Sequence, residues 1–414
     1  MSENHHHGKH SPLSDEPFAD SHPSVDDHAD HIRALLAGAL IPRPESIPIE
    51  DALGRCTTAA IVSPVDLPLF RNSQMDGFAV HASDLTNLPT EIPIEGEVVA
   101  RAGIPRPLRA GTTVRIMTGA PVPEGADTVI PVEDTSSHAG VVTIHHGRAQ
   151  GTFVRERGSD LAAGAELLPA DTLLAPRHLA ALAAAGLGTV EVRSRVRVAV
   201  ITSGAELVAP GEVALAGQIF DANQIALETA ITSDGAEVTF AARVGDNSLT
   251  LLDVLREAAN VSDLIITSGG ISMGDYEVVR QTLEPLGARV GHVAMQPGGP
   301  QATAHFENVP VVSFPGNPVS TQISYAVFVS PLLRDVAGLE PKKRGRRVLE
   351  SDVTSVKGKR QFLKGVLTGT EGVTAISGPG SHLVAGLAAA TVLIDVPEHS
   401  THVRAGTIVE TWEL

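Results

Sequence analysis

Only one cysteine, Cys56, occurs in 414 residues, so no intrachain disulfide can form and no cysteine cluster can hold zinc. Aromatic residues make up 3%, too few rings for a platform that would stack single-stranded nucleic acid. Positive charge is also scarce: 31 Lys and Arg stand against 48 Asp and Glu, a formal net charge of −17. The mean field of such a chain repels nucleic acid and anionic membranes, so a phosphate-bearing ligand needs a local pocket. Unbroken apolar runs are missing as well. Residues 308–333 are uncharged but contain Pro310, Pro315, Pro318 and Pro331, and the uncharged stretch 372–394 is interrupted by Pro379 and several glycines. Neither reaches the roughly 20 continuous apolar residues of a membrane span. No basic segment followed by an apolar one opens the chain, so the expected location is the cytoplasm.

What is present is a hydrophobic fraction of 43% and a length that suggests about three compact units. Residues 1–23 read as a solvated, disordered tail rich in histidine. Ser24 caps an expected helix through Leu40, with Asp26 and Asp27 in its first turn. Between 61 and 154, short β-branched runs at 92–99, 112–116, 128–132 and 141–145 predict a small β module. Residues 155–193 read as a return to helix, expected to pack with 24–60 and so make the β module an insertion. From 194 to 340, apolar strands alternate with amphipathic helices, which predicts a parallel-rich sheet covered on both faces. A basic linker, 341–347, leads into alternating short strands to 414, a small β domain.

Chemistry concentrates in three strand-end loops of the α/β region. The first holds Ser203, Gly204 and Glu206; the second Ser268, Gly269, Gly270, Ser272, Gly274 and Asp275; the third Pro315, Gly316, Asn317, Pro318 and Ser320. Gly and Ser in such turns supply backbone amides and hydroxyls that can surround phosphate oxygens without charge, and open α/β sheets bind ligands beyond the carboxyl ends of their strands. Three loops on one sheet edge point to a nucleotide-like or pterin phosphate site. Carboxylates stand beside them: Glu206, Asp246 and Asp275, with Asp76 and Asp160 elsewhere in the chain. Hard oxygen donors near phosphate suit Mg²⁺. There is no P-loop lysine motif, no dinucleotide-binding GxGxxG, no GxSxG elbow and no HExxH, which removes those enzyme classes.

Several motifs in order resemble one family. They are Asn72 and Ser73 with Met75, Asp76 and Gly77; the run from Arg115 to Asp127, including Thr118; Arg157, Gly158 and Asp160; Phe220, Asp221 and Asn223; the 268–275 loop; and the 314–320 loop. From about residue 24 to 414 the chain resembles the molybdopterin molybdenumtransferases, molybdenum-insertion proteins related to the C-terminal region of gephyrin. The resemblance implies a multi-domain α/β plus β fold: a helical elongated domain (24–60 and 155–193), an inserted β domain (61–154), an α/β molybdopterin-binding domain (194–340) and a β-barrel-like domain (341–414). It implies adenylylated molybdopterin and molybdate as substrates, release of AMP, a homodimer whose site is shared between subunits, and contact with the molybdopterin adenylyltransferase. Carried over by position, Asp76, Thr118, Asp160, Glu206, Asp246 and Asp275 become catalytic, with Mg²⁺ on Glu206, Asp246 and Asp275. Ser203, Gly204, Asp221, Asn223, Ser268, Gly269, Gly270, Ser272, Gly274, Pro315, Gly316, Asn317, Pro318 and Ser320 become the pterin and phosphate cradle. The chain departs from the family at Gln296 and Gly299, where lysines are usual, at Ala205 and Arg71, where aspartates are usual, and at Lys364, where arginine is usual. A non-catalytic binding paralogue and a molybdopterin adenylyltransferase are the alternative readings.

Overall fold

The computed structural model describes residues 22–272 and 277–414, in two compact units. One comprises Glu45–Val192; the other comprises Arg193–Leu414 and the segment before Glu45. Among the described residues, no helix is long and apolar enough to cross a membrane.

The larger unit is built on a six-stranded sheet. Its order is Glu237–Val244, Arg197–Ser203, Leu264–Ser268, Val309–Phe314, Pro300–Phe306 and Arg289–His292. The first four strands are parallel, and the last two run antiparallel as a hairpin-like edge. Strand residues alternate between two cores, as a period of two requires. Val198, Val200, Leu264, Ile266, Val312 and Phe314 face one core, while Ala199, Ile201, Ile265 and Val311 face the other. A sheet buried on both faces explains why these strands read as continuous apolar runs. The strands 289–292, at the edge, and 300–306, beside it, are not evident in the sequence, because Gly291, His292, Pro300, Gln301 and Thr303 break any apolar signature.

The first helix forms as expected but stops at Leu36 rather than Leu40. Ser24 Oγ accepts from Asp27 N at 3.1 Å, and the Asp27 carboxylate accepts from Ser24 N at 3.2 Å, a reciprocal cap. Its partner, however, is not residues 155–193. Val25, Ile32 and Leu36 are buried in the same core as Val319, Ile323 and Phe328 of the helix Pro318–Phe328. Each fully buried Ile or Leu here contributes about 1.5–3 kcal/mol. The helix Pro318–Phe328 is followed by Ser330–Ala337, the two broken where Pro331 lacks the N–H to continue the ladder.

Residues 344–413 form a closed barrel of five strands. Arg360–Thr368 pairs with Gly372–Ala375 on one side and with Val392–Val396 on the other, and Arg344–Leu349 and Ile408–Glu413 complete the ring. The barrel is not free-standing. Phe362, Leu387, Leu393 and Trp412 belong to the core that also holds the sheet and its helices. A short strand, Met295–Gln296, adds to the barrel in parallel and places Gln296 opposite Gln361. Arg360 ties the seam: it donates to both Asp395 oxygens, at 2.9 and 2.6 Å, and to Asp26 at 2.9 Å, while Trp412 Nε1 donates to Asp395 Oδ2 at 3.1 Å.

In the other unit, a six-stranded sheet runs Thr128–Pro131, Gly77–Val80, Thr113–Ile116, Thr90–Val98, Val141–Ile144 and Thr135–His138. A second small core joins Ile47 and Ala52 to Leu168, Leu174, Leu182, Val190 and Val192. The helical reading of 155–193 holds only for Pro176–Ala184. Most of the remainder is short strands and turns whose backbone bonds go to 57–67, as in Ser63 N to Ala165 O at 2.9 Å and Leu67 N to Leu161 O at 2.7 Å.

Candidate active site

At the carboxyl ends of the parallel strands lies a cleft of about 690 Å³. The three loops meet there backbone to backbone. Gly269 has φ +93°, and a Cβ on it would lie 2.5 Å from Ser203 O. Gly270 has φ +65°, and a Cβ there would meet Ser203 Oγ at 2.8 Å and Val279 N at 3.0 Å. A Cβ on Gly316 would lie 3.3 Å from Gly269 Cα. At Gly269 and Gly270 glycine is thus required by positive φ and close approach together, and at Gly316 by close approach.

Polar side chains stitch these loops. Asn223 Nδ2 donates to Ser268 Oγ at 2.9 Å and to Gly316 O at 2.7 Å, so one amide spans the second and third loops. Thr321 Oγ1 donates to Pro315 O at 2.5 Å. Asp221 is 1% exposed and fully engaged: it accepts from Asn223 N and Gln224 N at 3.1 Å, from Thr202 Oγ1 at 2.6 Å and from Arg243 Nε at 3.2 Å. It caps the helix Ala222–Ser233 and holds the first loop, which makes it a scaffold for the cleft. Two buried polar atoms at the cleft, Ser203 Oγ and Asn223 Oδ1, have no hydrogen-bond partner among the described residues.

Of the expected cradle, Ser203, Asp221, Asn223, Ser268, Gly269, Gly270 and Ser272 line the cleft, as do Pro315, Gly316, Asn317, Pro318 and Ser320. Gly204 lies in the first loop just behind the lining, with its Cα under the Glu206 carboxylate. Glu206 lines the cleft, is exposed, and has no side-chain hydrogen bond among the described residues. Asp246 is exposed and does not line it; the neighbouring helix, Ser248–Val261, is capped by Asn247. Gly274 and Asp275 lie outside the described residues.

Asp76, Thr118 and Asp160 belong to the other unit. Asp76 Oδ1 accepts from both Thr118 N and Thr118 Oγ1 at 2.7 Å. The backbone N–H first, then the hydroxyl, holds its carboxyl below the ordinary aspartate value, so it is a committed anion. Asp160 is exposed, and its backbone N donates to Leu67 O at 2.9 Å.

The barrel supplies part of the cleft that the strand-end loops did not reveal: Pro379, Gly380, Ser381 and His382. Its signal is the turn sequence Ser377, Gly378, Pro379, Gly380, Ser381, of the same type as the other loops but set in a segment read only as β. Gln296, Pro297 and Gly298 form another wall. Gln361, 1% exposed, donates from Nε2 to Gln296 Oε1 at 2.7 Å, which leaves the Gln296 amide N–H groups to the cleft.

Comparison with known proteins decides the family. Residues 24–186 match the MoeA N-terminal region (domain I and II), 199–335 the probable molybdopterin binding domain, and 346–414 the MoeA C-terminal region (domain IV). Molybdopterin molybdenumtransferase 2 of Mycobacterium tuberculosis is 38% identical over 405 residues, 94% of this chain and 99% of that protein. This chain belongs to the molybdopterin molybdenumtransferase family. The molybdopterin molybdenumtransferase of a Nostoc species is 36% identical over 391 residues, covering 89% of this chain and 88% of its own. The crystal structure of a molybdopterin biosynthesis moea protein from Pyrococcus horikosii superposes with a TM-score of 0.77 at 31% identity, over 92% of this chain and 98% of that one.

Proposed function

We propose that this member of the molybdopterin molybdenumtransferase family inserts molybdenum from molybdate into adenylylated molybdopterin. Water adds to phosphorus, the diphosphate P–O bond breaks and AMP leaves; the two dithiolene thiols then bind molybdenum, and their protons carry one molybdate oxygen away as water. The observation that carries this reading is the joining of Ser203, Gly269–Gly270 and Gly316 into one glycine-lined cleft, in a chain that aligns end to end with proteins of that name. Backbone amides at such loops solvate phosphate oxygens without a fixed cation.

Magnesium fits this lining as a ligand-bridged ion. The described residues contain no group of three His, Cys, Asp or Glu able to enclose a metal, but Glu206 offers an unengaged carboxylate inside the cleft. Mg²⁺ keeps several waters and typically takes one or two carboxylates plus substrate phosphates. We assign Glu206, with Asp275, as its protein ligands; when bound it would neutralise charge on the phosphate oxygens. We further propose a homodimer in which the second copy's Asp76, Thr118 and Asp160 serve the reaction, and delivery of substrate by contact with the adenylyltransferase. The exposed Asp76 carboxylate, held ionised by Thr118, supports the first point.

The test is direct. The purified protein, given adenylylated molybdopterin, Mg²⁺ and molybdate, is expected to release AMP and form molybdenum cofactor. Binding of the nucleotide substrate with no AMP release would instead favour a non-catalytic carrier, a reading for which the absence of lysine and arginine from the described cleft lining speaks.

A further inference from the structure

The cleft is short of positive charge. Its described lining includes Glu206, Asp221 and Glu277 but no lysine or arginine, and His382 is the sole imidazole there. Among the described lining residues, an anionic substrate therefore meets one side chain able to carry a positive charge. That side chain stands on a loop held from three directions. Val319 N, in the first turn of the helix Pro318–Phe328, donates to Ser381 O at 3.1 Å. Val384 N donates to His382 O at 2.9 Å. From behind, Lys364, 2% exposed, donates to Gly380 O at 3.2 Å.

Lys364 does not itself line the cleft, and no carboxylate pairs with it among the described residues. Burial lowers its pKa. It fixes the loop and leaves ligand contact to its neighbour. A Cβ on Gly380 would lie 3.1 Å from His382 Cε1, so the imidazole lies against the loop backbone and needs glycine beneath it. The ring nitrogens have no hydrogen-bond partner among the described residues and are free for a ligand.

We propose that His382 binds the anionic part of the substrate, donating an imidazole N–H to an oxygen of a tetrahedral oxyanion, phosphate or molybdate. The inference rests on the functional reading above for its substrate, but its test does not. Inorganic pyrophosphate and molybdate are titrated separately into the full-length protein by calorimetry, with Mg²⁺ present, for wild type, His382→Ala and His382→Lys. Loss of a hydrogen bond to a charged group is expected to weaken binding in His382→Ala by about 10- to 100-fold. His382→Lys is expected to bind within about threefold of wild type, since it keeps an N–H donor at this position. Which probe loses affinity assigns the oxyanion. Unchanged affinity for both probes in His382→Ala, a tenfold loss in His382→Lys, or no binding of either probe by wild type would overturn the proposal. AMP release by wild type is scored in parallel: its absence, with probe binding lost in His382→Ala, would remove the functional reading and leave His382 standing.

Discussion

His28 makes the acid stability of the larger unit a quantitative question. It lies on the first helix, 4% exposed, edge-on to Phe328 with ring centroids 4.8 Å apart and 6.1 Å from His31. Neither ring nitrogen has a hydrogen-bond partner among the described residues. Burial, helped by His31, pulls its pKa down to about 3. Above the unfolded value near 6.5 both states are neutral at this site, and it adds no pH dependence. Below it, the unfolded chain takes up a proton that the folded chain refuses, so stability falls until the pH reaches the folded value. Between pH 7 and pH 5 this group alone costs about 2 kcal/mol. His28→Leu removes the titration and the two unpaired nitrogens while keeping an apolar side chain against Phe328. Urea unfolding of both proteins at several pH values isolates the term as the difference between their curves. The variant is expected to gain about 2 kcal/mol over wild type on going from pH 7 to pH 5. Parallel curves would refute the assignment of a neutral, buried imidazole.

Two further substitutions address the cleft and its support. Gly270→Ala places a methyl 2.8 Å from Ser203 Oγ and 3.0 Å from Val279 N at a positive φ, and is expected to cut pyrophosphate affinity at least about tenfold, measured by calorimetry. Asp395→Asn removes the buried carboxylate from the part-buried Arg360 guanidinium beside Trp412 and leaves it only the exposed Asp26, and is expected to cost about 1.5–3 kcal/mol in urea unfolding, with the loss confined to the unit that contains the barrel.

The alternation of strand and helix from Arg197 to Ala337 was legible because both faces of the sheet are buried, so its strands carry unmistakable apolar runs. The three loops were legible because Gly and Ser clusters at strand ends have few other reasons to recur. The strands 289–292 and 300–306 were not: the first lies at the sheet's margin and needs no apolar pattern, and the second, though buried, carries Pro300, Gln301 and Thr303 among its apolar residues. Nor was the role of Asp221, which as a sequence reads as a ligand-binding acid but in space spends its oxygens on Thr202, Arg243 and two helix amides. The partner of the first helix was equally hidden: an amphipathic stripe says that a face is buried, not against what. The contribution of Ser381 and His382 depends on a contact between segments about sixty residues apart, which local patterning does not encode.

The short ladder between Met295–Gln296 and the barrel has a consequence for how the cleft comes into being. Gln296 and Gln361 are set by a strand register, and that register belongs to a ring closed by Ile408–Glu413. During synthesis, the sheet and its glycine turns leave the ribosome well before this ring can shut. Two walls of the binding cavity therefore cannot take their places until nearly the last of these strands has been made, and a nascent chain stalled within the barrel would hold an open, unfinished pocket however well its sheet had already formed.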